Sequence, residues 1–132
     1  MAGHDVSNKA ADSITFTFKP YPRIVYCSLS SLVLTIWQSR DYEGTYKFTF
    51  NQDCNSRKGD RVKGVDWSFS VDLKSESDNF LAWISLGSWS HDCGKRGIDL
   101  SGNWHYDKTP NIPANARKAT LHWWHANEVS GC

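Results

Sequence analysis

Two short clusters contain residues able to ligate a metal, His122-Trp123-Trp124-His125 and His91-Asp92-Cys93. On an extended strand, successive side chains point to opposite faces. His122 and Trp124 then share one face and Trp123 and His125 the other, so the two histidines cannot grip one ion together. His91-Asp92-Cys93 has similarly poor spacing. The stretch from Asp72 to Asn79 is acidic, but it lacks the Gly and the closing Glu of a helix-loop-helix calcium loop. It reads as a solvated turn. No Gly-x-Ser-x-Gly elbow, phosphate-cradling glycine loop or His-Glu-x-x-His occurs. Cys93 near a histidine leaves a thiol nucleophile open. Nothing else points to catalysis, and the chain reads as non-enzymatic.

Cys27, Cys54, Cys93 and Cys132 are far apart in sequence. Without a Cys-x-x-Cys, a zinc knuckle or a thioredoxin-type redox pair is not expected. Four cysteines allow three pairings, and spacing does not choose among them. The even count in a small domain favours at least one disulfide, against four free thiols in a reducing compartment.

The remaining chemistry is aromatic. The chain carries seven Trp, six Phe and five Tyr among 132 residues. Trp37, Trp67 and Trp83 sit in apolar stretches and are expected in the core. Trp89, Trp104 and Trp124 lie in or beside polar segments and are candidates for exposure. An exposed indole can stack on a sugar ring or fill a partner's pocket. With Asn103, His105, Asp107 and Asn111 nearby, Trp89, Trp104, His105 and Trp124 form the candidate ligand-binding set.

The elements that must position these rings are strands. Rings, Val and Thr suit a pleated sheet better than a helix. Ile14–Lys19, Tyr46–Asn51 and Val65–Asp72 alternate apolar and polar residues, the pattern of half-buried strands. Ile24–Trp37 is long and apolar with serines in its middle, and reads as two strands with a kink between them. Phe80–Leu86, Ile98–Leu100, Trp104–Tyr106 and Leu121–His125 complete the set. Asn111–Lys118 holds one helical turn. Residues 1–13 read as a disordered tail and 14–132 as a single β-sandwich domain. No apolar run approaches the roughly 20 residues of a membrane span. A net charge of +1 gives no reason to expect a nucleic-acid partner. The polar start is not a signal peptide, so the chain reads either as cytoplasmic or as the mature form of a secreted protein, and as a monomer.

Trp37-Gln38-Ser39-Arg40-Asp41-Tyr42-Glu43-Gly44 has the form aromatic, four residues, aromatic, one residue, Gly. It resembles the Greek-key signature of the βγ-crystallin family, in which the glycine takes a positive φ at a folded-over hairpin. A gapless echo supports two such motifs: Gly59–Trp67 aligns on Asn115–Trp123, each a polar loop with Arg running into apolar-x-Trp. The second signature, near Trp83 and Trp89, has one extra residue and His91 where Gly is expected. The resemblance covers about residues 32–125. It implies an all-β, two-motif Greek-key sandwich, here with an extra N-terminal hairpin.

Members of the family often bind calcium through paired loops. The matching positions here keep Asp60 in the first loop and Asn115 and Thr120 in the second. Arg61, Lys63, Arg117 and Lys118 crowd both loops with positive charge, which opposes a divalent cation. Calcium binding is therefore expected to be weak or lost, and no other cofactor is implied. The resemblance implies a non-catalytic binding or structural protein. A carbohydrate-binding lectin using exposed Trp, with a glycan or cell-surface ligand, is one alternative. A secreted antimicrobial toxin or proteinase inhibitor is another.

Overall fold

The computed structural model describes residues 12–24, 27–54, 63–89 and 96–130. The strands are β1 (Ser13–Phe18), β2 (Tyr21–Ile24), β3 (Cys27–Arg40), β4 (Glu43–Cys54), β5 (Lys63–Lys74), β6 (Phe80–Trp89), β7 (Gly97–His105) and β8 (Lys118–Ser130). A short helix, α1 (Ile112–Asn115), joins β7 to β8. The first sheet runs β1-β3-β4-β7, with β2 also paired to β3, and the second runs β6-β5-β8. Every pairing among the described residues is antiparallel. The fold is an all-β sandwich.

Rings from both sheets meet at its centre. Phe48 of β4 and Phe69 of β5 approach edge to face at 5.4 Å, and Phe50 lies 5.4 Å from the same Phe69 ring. Edge-to-face contact places the positive rim of one ring against the negative face of the other. Leu34, Ile36 and Ile98 surround them from the first sheet, and Val71, Leu73, Ile84 and Leu86 from the second, all buried.

Several elements differ from the sequence reading. Ile24–Trp37 is not two strands parted by a kink. Most of it is one strand, β3, with a bulge. Ser30 pairs with Asn51 and Val33 with Thr49, so Ser31 and Leu32 together face one partner residue. Ser31 has a φ of 54°, in the left-handed region. The extra residue shifts the inward series from Leu29 to Leu32, Leu34 and Ile36. The N-terminal arm also differs. β1 and β2 do not form a hairpin with each other; both pair along β3 as one interrupted edge. Ile98–Leu100 and Trp104–Tyr106 are largely one strand, β7.

The two echoing segments lead into neighbouring strands of one sheet. Phe69 pairs with Trp123, and Trp67 with His125, across β5 and β8. Residues 55–62, which include most of the first echo's loop, lie outside the described residues.

Two glycine–aromatic pairs lock β4 to β7. Gly44 is the register partner of Trp104, and Tyr46 that of Gly102, so the rings and the gaps alternate between strands. The Trp104 indole crosses Gly44 and donates from Nε1 to the Trp37 carbonyl at 2.9 Å. One side chain thereby ties three strands together. Gly44 has no positive φ; among the described glycines only Gly87 does, at 86°. Its requirement is space. A Cβ there would collide with the Trp37 carbonyl and lie 2.7 Å from the Trp104 Nε1.

The loop after β7 is fixed to both sheets. Tyr106 N–H donates to Tyr42 O at 2.8 Å and Arg117 N–H to Lys74 O at 2.9 Å. Ile112 and Pro113 of α1 are buried. Among the described residues, no helix is long and apolar enough to cross a membrane.

Gly44→Ala is expected to destabilise the fold by at least about 3 kcal/mol, because backbone rather than a flexible side chain must give way. Gly97→Ala, whose Cβ would meet only Asn51 Oδ1 at 3.9 Å, should cost under about 1 kcal/mol. Urea denaturation of the two variants measures the contrast.

Candidate functional site

The second sheet carries the larger aromatic surface on its outer face. Along β5, Phe69, Val71 and Leu73 turn inward, leaving Ser68, Ser70, Asp72 and Lys74 on the outer side. On β6, Ala82, Ile84 and Leu86 are buried, so Trp83 and Ser85 point out. On β8, Leu121 is buried while Thr120, His122 and Trp124 are exposed. The register sets the rows: Trp83, Asp72 and Thr120 form one, and Ser85, Ser70 and His122 the next. Trp124 stands opposite Ser68.

The relief of this face follows from side-chain size. Ser70, on the central strand, is only 2% exposed although it faces outward. Trp83 on one edge strand and Trp124 on the other remain 46% and 48% exposed. Ser70 is therefore covered by its taller neighbours, and the polar groups that reach solvent between the two rings are those of Ser85, Asp72, His122 and Thr120. From strand geometry, four residues along the strand and two strands across, the Cα atoms of Trp83 and Trp124 are about 16 Å apart.

One polar contact orders this face. Asp72 reaches diagonally across the β5–β8 pair, and its Oδ2 lies 2.9 Å from His122 Nε2. Diagonal neighbours on one sheet face are within reach of each other's longer side chains. The aspartate therefore fixes the imidazole plane, while a ligand could still meet the outer edges of both groups.

At the end of the face, Lys118 Nζ donates to Asp78 Oδ1 at 2.9 Å. Asp78 has a φ of 66° and belongs to the β5–β6 turn, where Asp78 N–H donates to Ser75 O at 3.0 Å. The hydrogen bond and charge of Lys118 hold the Asp78 carboxyl below its ordinary value, and Asp78 raises that of Lys118. The acidic stretch is thus a hairpin turn pinned to β8. Among the described residues, no group of three His, Cys, Asp or Glu is placed to hold a metal ion.

The outer face of the first sheet is also polar. Trp37 is 42% exposed there, with Ser13, Thr45 and Asn103 in its row. Lys47 and Asp99 stand 3.7 Å apart across the same face. Among the described residues it offers one ring rather than two.

The residues expected to bind ligand are not brought together. Trp104 is 3% exposed, a core residue despite its polar neighbours, because it shares an inward series with Ile98 and Leu100. His105 is exposed at the end of β7, paired with Glu43 in the first sheet. Trp124 belongs to the second sheet. Trp89 closes β6 opposite Trp67, and the side chains of both lie outside the described residues. Trp37 and Trp83, expected in the core, are exposed. Trp83 was detectable: Ala82-Trp83-Ile84-Ser85-Leu86 alternates, and its smaller apolar members occupy the inward positions.

Of the expected calcium positions, the two that are described stand on different elements. Asp60 lies outside the described residues. Asn115 ends α1, where its Nδ2 donates to Asn111 O at 3.0 Å. Thr120 stands on β8, on the outer face of the second sheet. The His91-Asp92-Cys93 cluster lies outside the described residues. In the other histidine cluster, His122 and Trp124 are exposed on one face, and Trp123 packs inward against Tyr21 at 6.4 Å.

No family model matches the chain, nor does any curated protein or any solved structure.

The Asp78–Lys118 pair predicts a pH effect of definite sign. A carboxyl held low in the folded state adds stability above its unfolded value, and that contribution is lost as pH falls through the folded value. Asp78→Asn should therefore lower the urea midpoint slightly at neutral pH and leave it unchanged in strong acid. Both groups are exposed, so the neutral-pH difference should shrink in high salt.

Proposed function

We propose that the chain is a non-catalytic carbohydrate-binding protein whose ligand lies across the outer face of the second sheet. The observation that carries this reading is the pair Trp83 and Trp124, both exposed on one face with Ser70 between them. Sugars present C–H-rich ring faces that stack on indoles and a rim of hydroxyls that exchange hydrogen bonds. Trp83 and Trp124 answer the first requirement. Ser85, Thr120, Asp72 and His122 answer the second with donors and acceptors in a small area. With Cα atoms about 16 Å apart on the two edge strands, the two indoles suit successive residues of a sugar chain better than a single pyranose. The ligand in this proposal is therefore an oligosaccharide or a polysaccharide segment running diagonally between β6 and β8.

The scaffold part of the proposal is a βγ-crystallin-like relationship, resting on the spacing of Trp37, Tyr42 and Gly44 and not on the backbone of Gly44, which lacks the positive φ of that signature. Calcium has at most a weak part in it, because Arg117 and Lys118 lie between Asn115 and Thr120 in the sequence.

A glycan array followed by calorimetry tests the binding reading. Affinity should rise from a monosaccharide to a chain long enough to meet both rings. Trp83→Ala and Trp124→Ala should each weaken the long chain at least about tenfold, a loss of about 1.4 kcal/mol. Trp37→Ala on the opposite sheet should leave it unchanged. An array without hits, or full affinity in both second-sheet variants, would overturn the proposal.

A further inference from the structure

β3 opens at Cys27 and β4 closes at Cys54, and the two are register partners at the end of their ladder. The kind of partnership follows from the backbone alone. Antiparallel pairs alternate between hydrogen-bonded ones, with Cα atoms about 5.5 Å apart, and non-hydrogen-bonded ones at about 4.5 Å. Gln52 N–H donates away from β3, to Arg96 O at 2.7 Å on the β7 side. A residue's N–H and C=O leave its strand on the same side, so Leu29 and Gln52 are a non-hydrogen-bonded pair. Ser28 and Asp53 are then hydrogen-bonded, and Cys27 and Cys54 are again non-hydrogen-bonded. Cα atoms at about 4.5 Å fall inside the window that a disulfide spans, about 4.4–6.8 Å.

We propose that Cys27 and Cys54 form a cross-strand disulfide when the chain meets a disulfide oxidant such as oxidised glutathione. One cysteine thiolate attacks the glutathione disulfide, forming a mixed disulfide and releasing one glutathione thiolate. The second cysteine thiolate attacks the protein sulfur of that mixed disulfide. The Cys27–Cys54 bond forms, the mixed disulfide breaks, and a second glutathione leaves. The two cysteine thiols are oxidised, one glutathione disulfide is reduced to two thiols, and the two cysteine protons end on those thiols.

The bond would close a loop around the whole β3–β4 hairpin. It would clip the end of the ladder opposite the Asp41-Tyr42 turn, where strand ends otherwise fray. A cross-link of this kind raises stability largely by restricting the unfolded chain. Among the three pairings that four cysteines allow, the register selects the one joining Cys27 to Cys54 and leaves Cys93 and Cys132 to each other or free. This inference is independent of any ligand.

The test is peptide mapping without reductant, after equilibration of the purified chain in oxidised glutathione. The expected product is a peptide containing Cys27 joined to one containing Cys54, in the native chain and in a Cys93→Ser/Cys132→Ser variant. Reductant should lower the melting temperature of the oxidised native chain by about 10 °C. It should not change the melting temperature of Cys27→Ser in that way. Mapping of Cys27 or Cys54 onto Cys93 or Cys132 in the native chain would overturn the proposal. So would full alkylation of both thiols after oxidation.

Discussion

The first sheet depends on the reciprocal placement of two rings and two glycines. Trp104 lies over Gly44, and Tyr46 lies over Gly102, in adjacent rows of β4 and β7. Glycine in a strand is ordinarily a weakness, since it costs backbone entropy and offers nothing to pack. Here each gap is filled by the ring opposite, and each ring gains a flat bed that a side chain would deny it. The Trp104 N–H then finds its acceptor one strand further on, at the Trp37 carbonyl, so the buried polar atom is satisfied. Tyr46 continues the link toward the second sheet, because its hydroxyl lies 3.5 Å from where a Cβ on Gly87 would stand. Burial pushes the Tyr46 phenol's pKa up, as expected of a group held where its anion is poorly solvated.

These contacts explain why a local signature was readable while its meaning was not. Trp37, Tyr42 and Gly44 stand out as spaced residues, and a positive φ at Gly44 is the natural inference from such a pattern. The backbone there is extended instead, and the glycine answers to Trp104, sixty residues away in sequence. A requirement for empty space is invisible in the residue itself, because it belongs to the partner across the ladder. Trp104 was misplaced for the same reason: its neighbours Asn103 and His105 are polar, but its own position belongs to the inward series.

Strand existence was legible wherever alternation ran unbroken, as in β1, β4 and β5. It failed where a bulge moved the period. In β3 the inward residues are Leu29, then Leu32, Leu34 and Ile36, and the odd step at Ser31 makes one strand look like two. In β6 the strand was legible and only its facing was misread, for a chemical reason. Trp83 counts as apolar, yet Ala82, Ile84 and Leu86 claim the core, and parity outranks hydropathy when neighbouring side chains must alternate faces. Which strands neighbour one another was not legible at all, and the pairing of Trp83, Asp72 and Thr120 in one row depends on that.

The contrast between the two outer faces bears on where a neutral, hydroxyl-rich ligand would settle. On the first sheet, Lys47 and Asp99 form an ion pair across the face, and a sugar lying there would have to displace their water without neutralising either charge. On the second sheet, Lys118 is drawn to Asp78 at the end of the face, and Asp72 is occupied by His122. Between the rings, Ser85 and Thr120 are exposed hydroxyls that both donate and accept, beside the outer edges of the Asp72–His122 pair. Ser70 is covered by these neighbours and presents no hydroxyl to a ligand, so its small size lets the longer side chains of the edge strands close over the middle strand and carry the contact surface themselves.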